Sequence, residues 1–265
     1  MQKLVVLAVF AILFATSFAE TQADAQKLNL RLFADNLDVA HNTYTSPFIQ
    51  GMVTNELNPG RYGSYILQDI LYLNQTYTNL KYLNDFRAAK EGKGNSSPFG
   101  VYMTELLDIY KAFLVDMLSQ WQLLNVEGIQ SSPALSHYAD LQKSAFSDET
   151  VPIECTQIIL LPCENMWPWL AKRMISEGGV DINDAKKSFY GFWARDNQQE
   201  FDIVTNFVND NCKLDDNTFP YQKALAIHRG GMIAEYNLFN HVLEVSFDQH
   251  CASSKAKPFL EIISS

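Results

Sequence analysis

Charge is scarce in this chain of 265 residues: 19% are Asp, Glu, Lys or Arg while 47% are apolar, which excludes a chain too polar to bury a core. Basic residues are the scarcer sign, 20 against 30 acidic ones. The net charge of −10 removes the broad cationic surface that nucleic acid or an anionic membrane would need. Glycine and proline are few as well, 21 residues together, so the many tight turns of a β-sandwich or barrel are hard to supply and long helices are favoured. No phosphate loop, dinucleotide fingerprint, HExxH or CxxC occurs, and nothing reads as a repeat or low-complexity tract.

The first twenty residues are read as a secretory signal. A short basic start at Met1 to Lys3 precedes the apolar run Leu4 to Phe14 and a small-x-small site, Ser17-Phe18-Ala19. The run is well short of the ~20 residues that span a bilayer, and no later segment reaches that length. Removing residues 1–19 leaves a domain of residues 20–265 with net charge −11, expected outside the cell or in an endomembrane lumen. Two glycosylation sequons suit that route, at Asn74 and Asn95.

Apolar residues then recur at helical spacing, and no stretch alternates with period two. Helical segments are expected around Leu28 to Val39, Phe48 to Leu57, Asn58 to Lys90, Tyr102 to Asn125, Ser132 to Phe146, Pro152 to Ser176, Asp181 to Asn209 and Phe219 to Gln249. The expectation is one all-α domain of seven or eight helices.

Polar groups on apolar helix faces carry the candidate chemistry. Asp69 lies among Tyr65, Ile66 and Leu73 with Tyr72 at i+3; Cys163 shares a face with Trp167 at i+4; Glu235 sits between Ile233 and Leu238 with Phe239 at i+4. In a helical bundle, a thiol and two carboxylates, each flanked by an aromatic ring, could line one cavity.

The segment Pro47-Phe48-Ile49-Gln50-Gly51, followed by Tyr65-Ile66-Leu67-Gln68-Asp69 and Tyr72-Leu73, resembles the opening of the TenA, or thiaminase II, family. Leu160-Leu161-Pro162-Cys163 and the helix carrying Glu235 resemble its later parts, in order, across roughly residues 34–245. The resemblance implies a haem-oxygenase-like all-α fold and hydrolysis of thiamin or its aminopyrimidine breakdown products, with no cofactor. It implies Cys163 as nucleophile, Glu235 as acid/base, Asp69 as the carboxylate that holds the pyrimidine amino group, and Tyr72 and Tyr138 as pocket tyrosines. A thiolate can add to an electron-poor ring carbon if an acid protonates the ring nitrogen. Departures accompany the matches: Trp167 and Asn197 stand at tyrosine positions of the family pattern, and Leu238 stands where a phenylalanine is expected. Export is another departure from a usually cytosolic family.

Histidines suggest two other sites. His41 lies in the first helix, where related folds place a haem ligand, and His228 and His241 flank Glu235. Neither has companions at metal-ligand spacing, so no metal is expected.

Cys155 and Cys163 are eight residues apart, about 12 Å along one helix, and Cys212 and Cys251 lie at opposite ends of the last one, so neither pair is easily bridged. Up-and-down packing brings Cys155 to Cys212, the expected disulfide, leaving Cys163 free behind a Pro162 expected to kink its helix. The alternative is that Cys163 is inert or pairs with Cys251. Three functional classes are consistent with these features: a secreted hydrolase of a pyrimidine-type small molecule, a secreted binding or signalling protein that keeps the pocket without turnover, and a helical structural or storage protein. A homo-oligomer is left open.

Overall fold

The computed structural model describes residues 27–94, 96–199 and 202–243. The expected signal peptide, Asn95 and Cys251 lie outside them. Ten α-helices make up the described chain: α1 (Leu28–Ala34), α2 (Leu37–Tyr44), α3 (Pro47–Val53), α4 (Pro59–Tyr82), α5 (Pro98–Gln120), α6 (Pro133–Ser147), α7 (Leu161–Ser176), α8 (Gly191–Asn197), α9 (Ile203–Asn211) and α10 (Tyr221–Asn240). A π-helical segment, Leu83–Ala88, extends α4, and the 3₁₀ segment Ile153–Leu160 leads into α7. No strand occurs among the described residues; one antiparallel bridge joins Asp215 and Phe219. The all-α class stands, divided more finely than seven or eight segments.

The few prolines are used to start helices. Ser46-Pro47, Asn58-Pro59, Ser97-Pro98 and Ser132-Pro133 each place a side-chain acceptor at the N-cap and a proline in the first turn, where a missing N–H costs nothing. Asn58 Oδ1 accepts from Gly60 N at 2.8 Å, and Ser97 Oγ from Gly100 N at 3.0 Å.

Three expected helices are broken by side chains or a missing donor. Asn36 turns its amide back onto Leu32 O at 3.0 Å, which separates α1 from α2. Residues 181–190 form turns instead of helix because Asp181 Oδ1 captures the N–H groups of Asn183 and Asp184 at 2.9 and 3.1 Å. Pro162 does not kink a continuous helix. It lies in the first turn of α7, where the 3₁₀ ladder stops and an α-helix begins; the proline inside α7 is Pro168.

Two buried clusters form the core. One gathers Phe48, Tyr65, Tyr138, Met166, Trp193 and Phe239; the other gathers Leu80, Phe99, Tyr102, Phe146, Ile158 and Phe219, and Leu73 and Leu141 pack against both. The buried helix α10 packs on α6, α7 and the 3₁₀ segment. Gly231 permits that approach, since a Cβ there would lie 2.7 Å from Pro162 Cγ and 3.1 Å from Ile159 O. One turn further along the same face of α10 comes Glu235.

The sulfurs of Cys155 and Cys212 are 2.10 Å apart, a disulfide joining the 3₁₀ segment to the end of α9. Cys163 is the free thiol among the described residues. No helix of the described residues is long and apolar enough to cross a membrane.

Candidate active site

A cavity of about 360 Å³ opens between α4, α5, α7 and α8. Its walls are largely aromatic, with Tyr62 and Tyr72 from α4, Tyr110 from α5, Trp167 from α7, and Phe192 and Trp193 from α8. Asp69, Cys163, Glu164 and Asn197 supply polar groups, Asp116 and Asp196 add carboxylates, and no Lys, Arg or His lines it among the described residues. Flat rings suit such walls, and the carboxylates favour a neutral or cationic ligand.

Each site group is placed by helical spacing. Asp69 and Tyr72 are one turn apart on the inward stripe of α4 and 93% and 98% buried. Among the described residues nothing donates a hydrogen bond to Asp69. Burial, then the charge of Glu235, pushes its carboxyl up to about 8. A buried carboxyl that borders a cavity without a protein donor is matched by a ligand that brings N–H groups.

Cys163 occupies the first turn of α7, half-buried against the cavity. A helix N-terminus favours a thiolate by about 0.3–1 kcal/mol. Burial and the nearby charges of Glu235, Asp69 and Glu164 act the other way, and they hold the thiol well above its ordinary range. At neutral pH the resting group is therefore a thiol.

Glu235 is fully buried behind the wall and does not line the cavity. Tyr138 donates its hydroxyl to Oε1 at 2.8 Å and Trp167 its indole N–H to Oε2 at 3.0 Å. Burial outweighs these two donors and pushes the carboxyl up to about 7. Tyr138 is likewise behind the wall, its ring 5.0 Å from that of Tyr72.

Of the sequence candidates, Asp69, Tyr72, Cys163, Trp167 and Asn197 line one cavity, and Tyr138 and Glu235 reach it through their hydrogen bonds. Asn197 ties its amide to Trp193 O at 2.8 Å. Leu238 does not line the cavity; it is buried in the core. Phe239, one residue on, fills the space behind the wall, its ring 5.7 Å from Trp167 and 5.3 Å from Tyr65.

Sequence reasoning passed over Tyr110, Trp193 and Glu164. Tyr110 belongs to a helically spaced apolar stripe on α5, Leu106, Tyr110, Phe113 and Met117, which was legible as one wall. Glu164 was not legible, because its partners lie forty residues away: Oε1 accepts from Val204 N at 3.2 Å and Oε2 from Thr205 N at 2.9 Å. Burial still pushes its carboxyl up to about 7, against the pull of those donors.

The histidines stand elsewhere. His228 is fully buried with Nδ1 3.0 Å from the Asn36 amide, and desolvation lowers it to about 3. His41 lies on the surface beside Arg173, and His241 bonds Leu238 O. No group of three or more His, Cys, Asp or Glu side chains among the described residues is arranged to hold a metal ion.

The fold is shared with a solved TenA homologue protein from P. horikoshii OT3, with a TM-score of 0.64 and 15% sequence identity over 82% of this chain and 99% of that one. No family model matches the chain, and no curated protein matches it in sequence. The class defined is thus an all-α protein of the TenA, haem-oxygenase-like fold with an acid-rich, aromatic-walled cavity containing a free thiol.

Proposed function

We propose that the protein is an exported hydrolase of the TenA type, acting on thiamin or an aminopyrimidine derived from it. The observation that carries this reading is the meeting of Asp69 and Cys163 in one aromatic-walled cavity, with Glu235 held directly behind it. Asp69 accepts N–H groups of the pyrimidine, and the rings of Tyr72 and Trp167 flank it. The Cys163 thiol gives its proton to the ionised form of Glu164, which lines the same cavity and has its carboxyl pushed up only to about 7, and sulfur bonds to an electron-poor ring carbon as Glu235 delivers a proton to the ring nitrogen. The thiazole ring or ammonia leaves, water takes its place on the pyrimidine fragment, and departure of the sulfur regenerates Cys163. The disulfide and the signal-like first 19 residues support export, since such bonds persist in oxidising compartments.

Incubation of the protein and of Cys163→Ala with thiamin and with an aminomethyl-aminopyrimidine tests the reading. Hydrolysis by the first and its loss in the second is expected; no turnover of either substrate by the intact protein ends it.

One observation favours a second reading, a small-ligand-binding protein without turnover. Glu235 has both oxygens engaged by Tyr138 and Trp167 and stands outside the cavity lining, so it has no direct contact with a ring bound there. Saturable pyrimidine binding with no product over long incubation identifies this case.

A further inference from the structure

Behind the cavity, a line of side-chain hydrogen bonds crosses from α4 to α6 and ends on Glu235. Its direction is set by a backbone group. Asn79 Nδ2 donates to the carbonyl of Ala139 at 3.2 Å, and a carbonyl can only accept, so the Asn79 amide has one orientation. The same Nδ2 points at Gln142 Oε1, 3.4 Å away, and the Thr76 hydroxyl donates to that oxygen at 3.1 Å. With Oε1 taken by two donors, Gln142 must turn Nε2 toward the Tyr72 hydroxyl, at 3.3 Å. Tyr72, having accepted, directs its own hydrogen to the Tyr138 oxygen at 3.5 Å, and Tyr138 donates to Glu235 Oε1 at 2.8 Å.

We propose that Gln142, oriented by Thr76 and Asn79, is a positioning residue for Glu235: it fixes the direction of the Tyr72 and Tyr138 hydroxyls, so that Glu235 always receives a hydrogen bond from this side. Gln142, Thr76, Tyr138 and Glu235 are all at most 1% exposed. Water is not at hand to replace a lost partner, and a buried amide is costly unless its polar atoms are paired. The 3.5 Å step between the tyrosines is the weakest link, longer than an ordinary O–H···O bond, and it is where reversal would occur if Gln142 did not hold Tyr72 as an acceptor. Thr76 closes the Asn74-Gln75-Thr76 sequon, and its hydroxyl has a use in the folded interior whether or not the half-buried Asn74 carries a glycan.

The functional weight of this device rests on the reading of Glu235 as the acid, but its test does not. Because Trp167 donates to Glu235 Oε2, the indole ¹⁵N–¹H resonance of Trp167, assigned through Trp167→Phe, reports ionisation of Glu235 without substrate. The titratable groups that face Glu235 are Tyr65, Asp69 and Tyr72 from α4, Tyr138 from α6 and Cys163 from α7. The titration is therefore run in the native protein and again with Asp69→Asn, which removes the second carboxyl.

A midpoint near 7 is expected for the native chain. In Gln142→Leu, Tyr138 is free to donate to Tyr72 instead, the carboxylate loses a donor, and the midpoint rises by about half a unit or more. Thr76→Val moves it the same way, and Thr76→Ser, which keeps the hydroxyl, restores the native value. An unchanged midpoint in folded Gln142→Leu overturns the proposal, as does a Thr76→Ser shift equal to that of Thr76→Val. If Gln142→Leu does not fold, the near-isosteric Thr76→Val decides. Lack of turnover by the native protein would defeat the enzymatic reading while leaving these shifts intact, so the two failures are distinguishable.

Discussion

Trp167 donates its indole N–H to Glu235 Oε2 across 3.0 Å while its ring forms part of the cavity wall. A tyrosine at this position could donate or accept; an indole can only donate, so Trp167 stabilises the ionised form of Glu235 and cannot receive its proton. Trp167→Phe removes a donor from the carboxylate and raises its pKa from about 7. If Glu235 acts as an acid, activity is lost as pH rises through that value, so the alkaline limb of the pH–rate profile moves to higher pH, by up to about one unit. A limb that stays in place in the variant removes Glu235 from the acid role.

Asp69 makes folding stability depend on pH. Its folded value of about 8 lies above the ordinary 3.8, so the native protein holds a proton that the unfolded chain releases. The stability from this proton is fully present below about 4 and is lost as pH rises through about 8. Glu235 and Glu164, both pushed up to about 7, act with the same sign. Asp69→Asn is expected to be more stable than the native protein at pH 8, by about 1–3 kcal/mol, with the difference shrinking by pH 5. Thermal unfolding at the two pH values checks this; an equal gap at both shows that the carboxyl is not titrating in that window.

Glu164 holds the start of α9 from a distance, replacing an N-cap that the local residues do not provide. Glu164→Ala should lower stability by about 1–2 kcal/mol through the two unpaired N–H groups. Glu164→Gln keeps one acceptor and should lose less. Hydrogen exchange at Val204 and Thr205 separates this local effect from general destabilisation.

The Cys155–Cys212 bond closes a loop of 57 residues. On chain-entropy grounds its removal costs about 4 kcal/mol, so Cys155→Ala or reduction should lower the Tm by ten degrees or more. Cys163→Ala leaves that bond untouched and should change the Tm little.

The cavity's carboxylates and lack of any lining Lys, Arg or His among the described residues disfavour anions. A phosphate ester of a bound pyrimidine alcohol is expected to bind at least about tenfold more weakly than the alcohol, by calorimetry at low salt. Equal affinities would mean that the ester group stays in solvent outside the cavity.

The all-α fold was legible in the sequence because its causes are local: few turn residues, apolar stripes at helical spacing, and Ser-Pro or Asn-Pro pairs that start helices wherever they occur. The disulfide followed from up-and-down packing of successive helices once axial distance had set aside two other pairings, and the positions of Asp69, Cys163 and Trp167 followed from the inward stripes of α4 and α7. Local rules failed where a side chain competed with the backbone, as Asp181 and Asn36 do, and at Pro162, where the helix starts instead of bending.

Only the tertiary structure decided which groups share a cavity. Glu235 lies behind the wall because Gly231 lets α10 press against the start of α7, and Leu238 is core because Phe239 takes the space beside Trp167. The bonds from Glu164 to α9 and from Gln142 to Tyr72 join residues 40 and 70 positions apart. Periodicity shows which face of a helix turns inward. What that face meets depends on how closely two helices approach, and here that distance rests on a single absent Cβ.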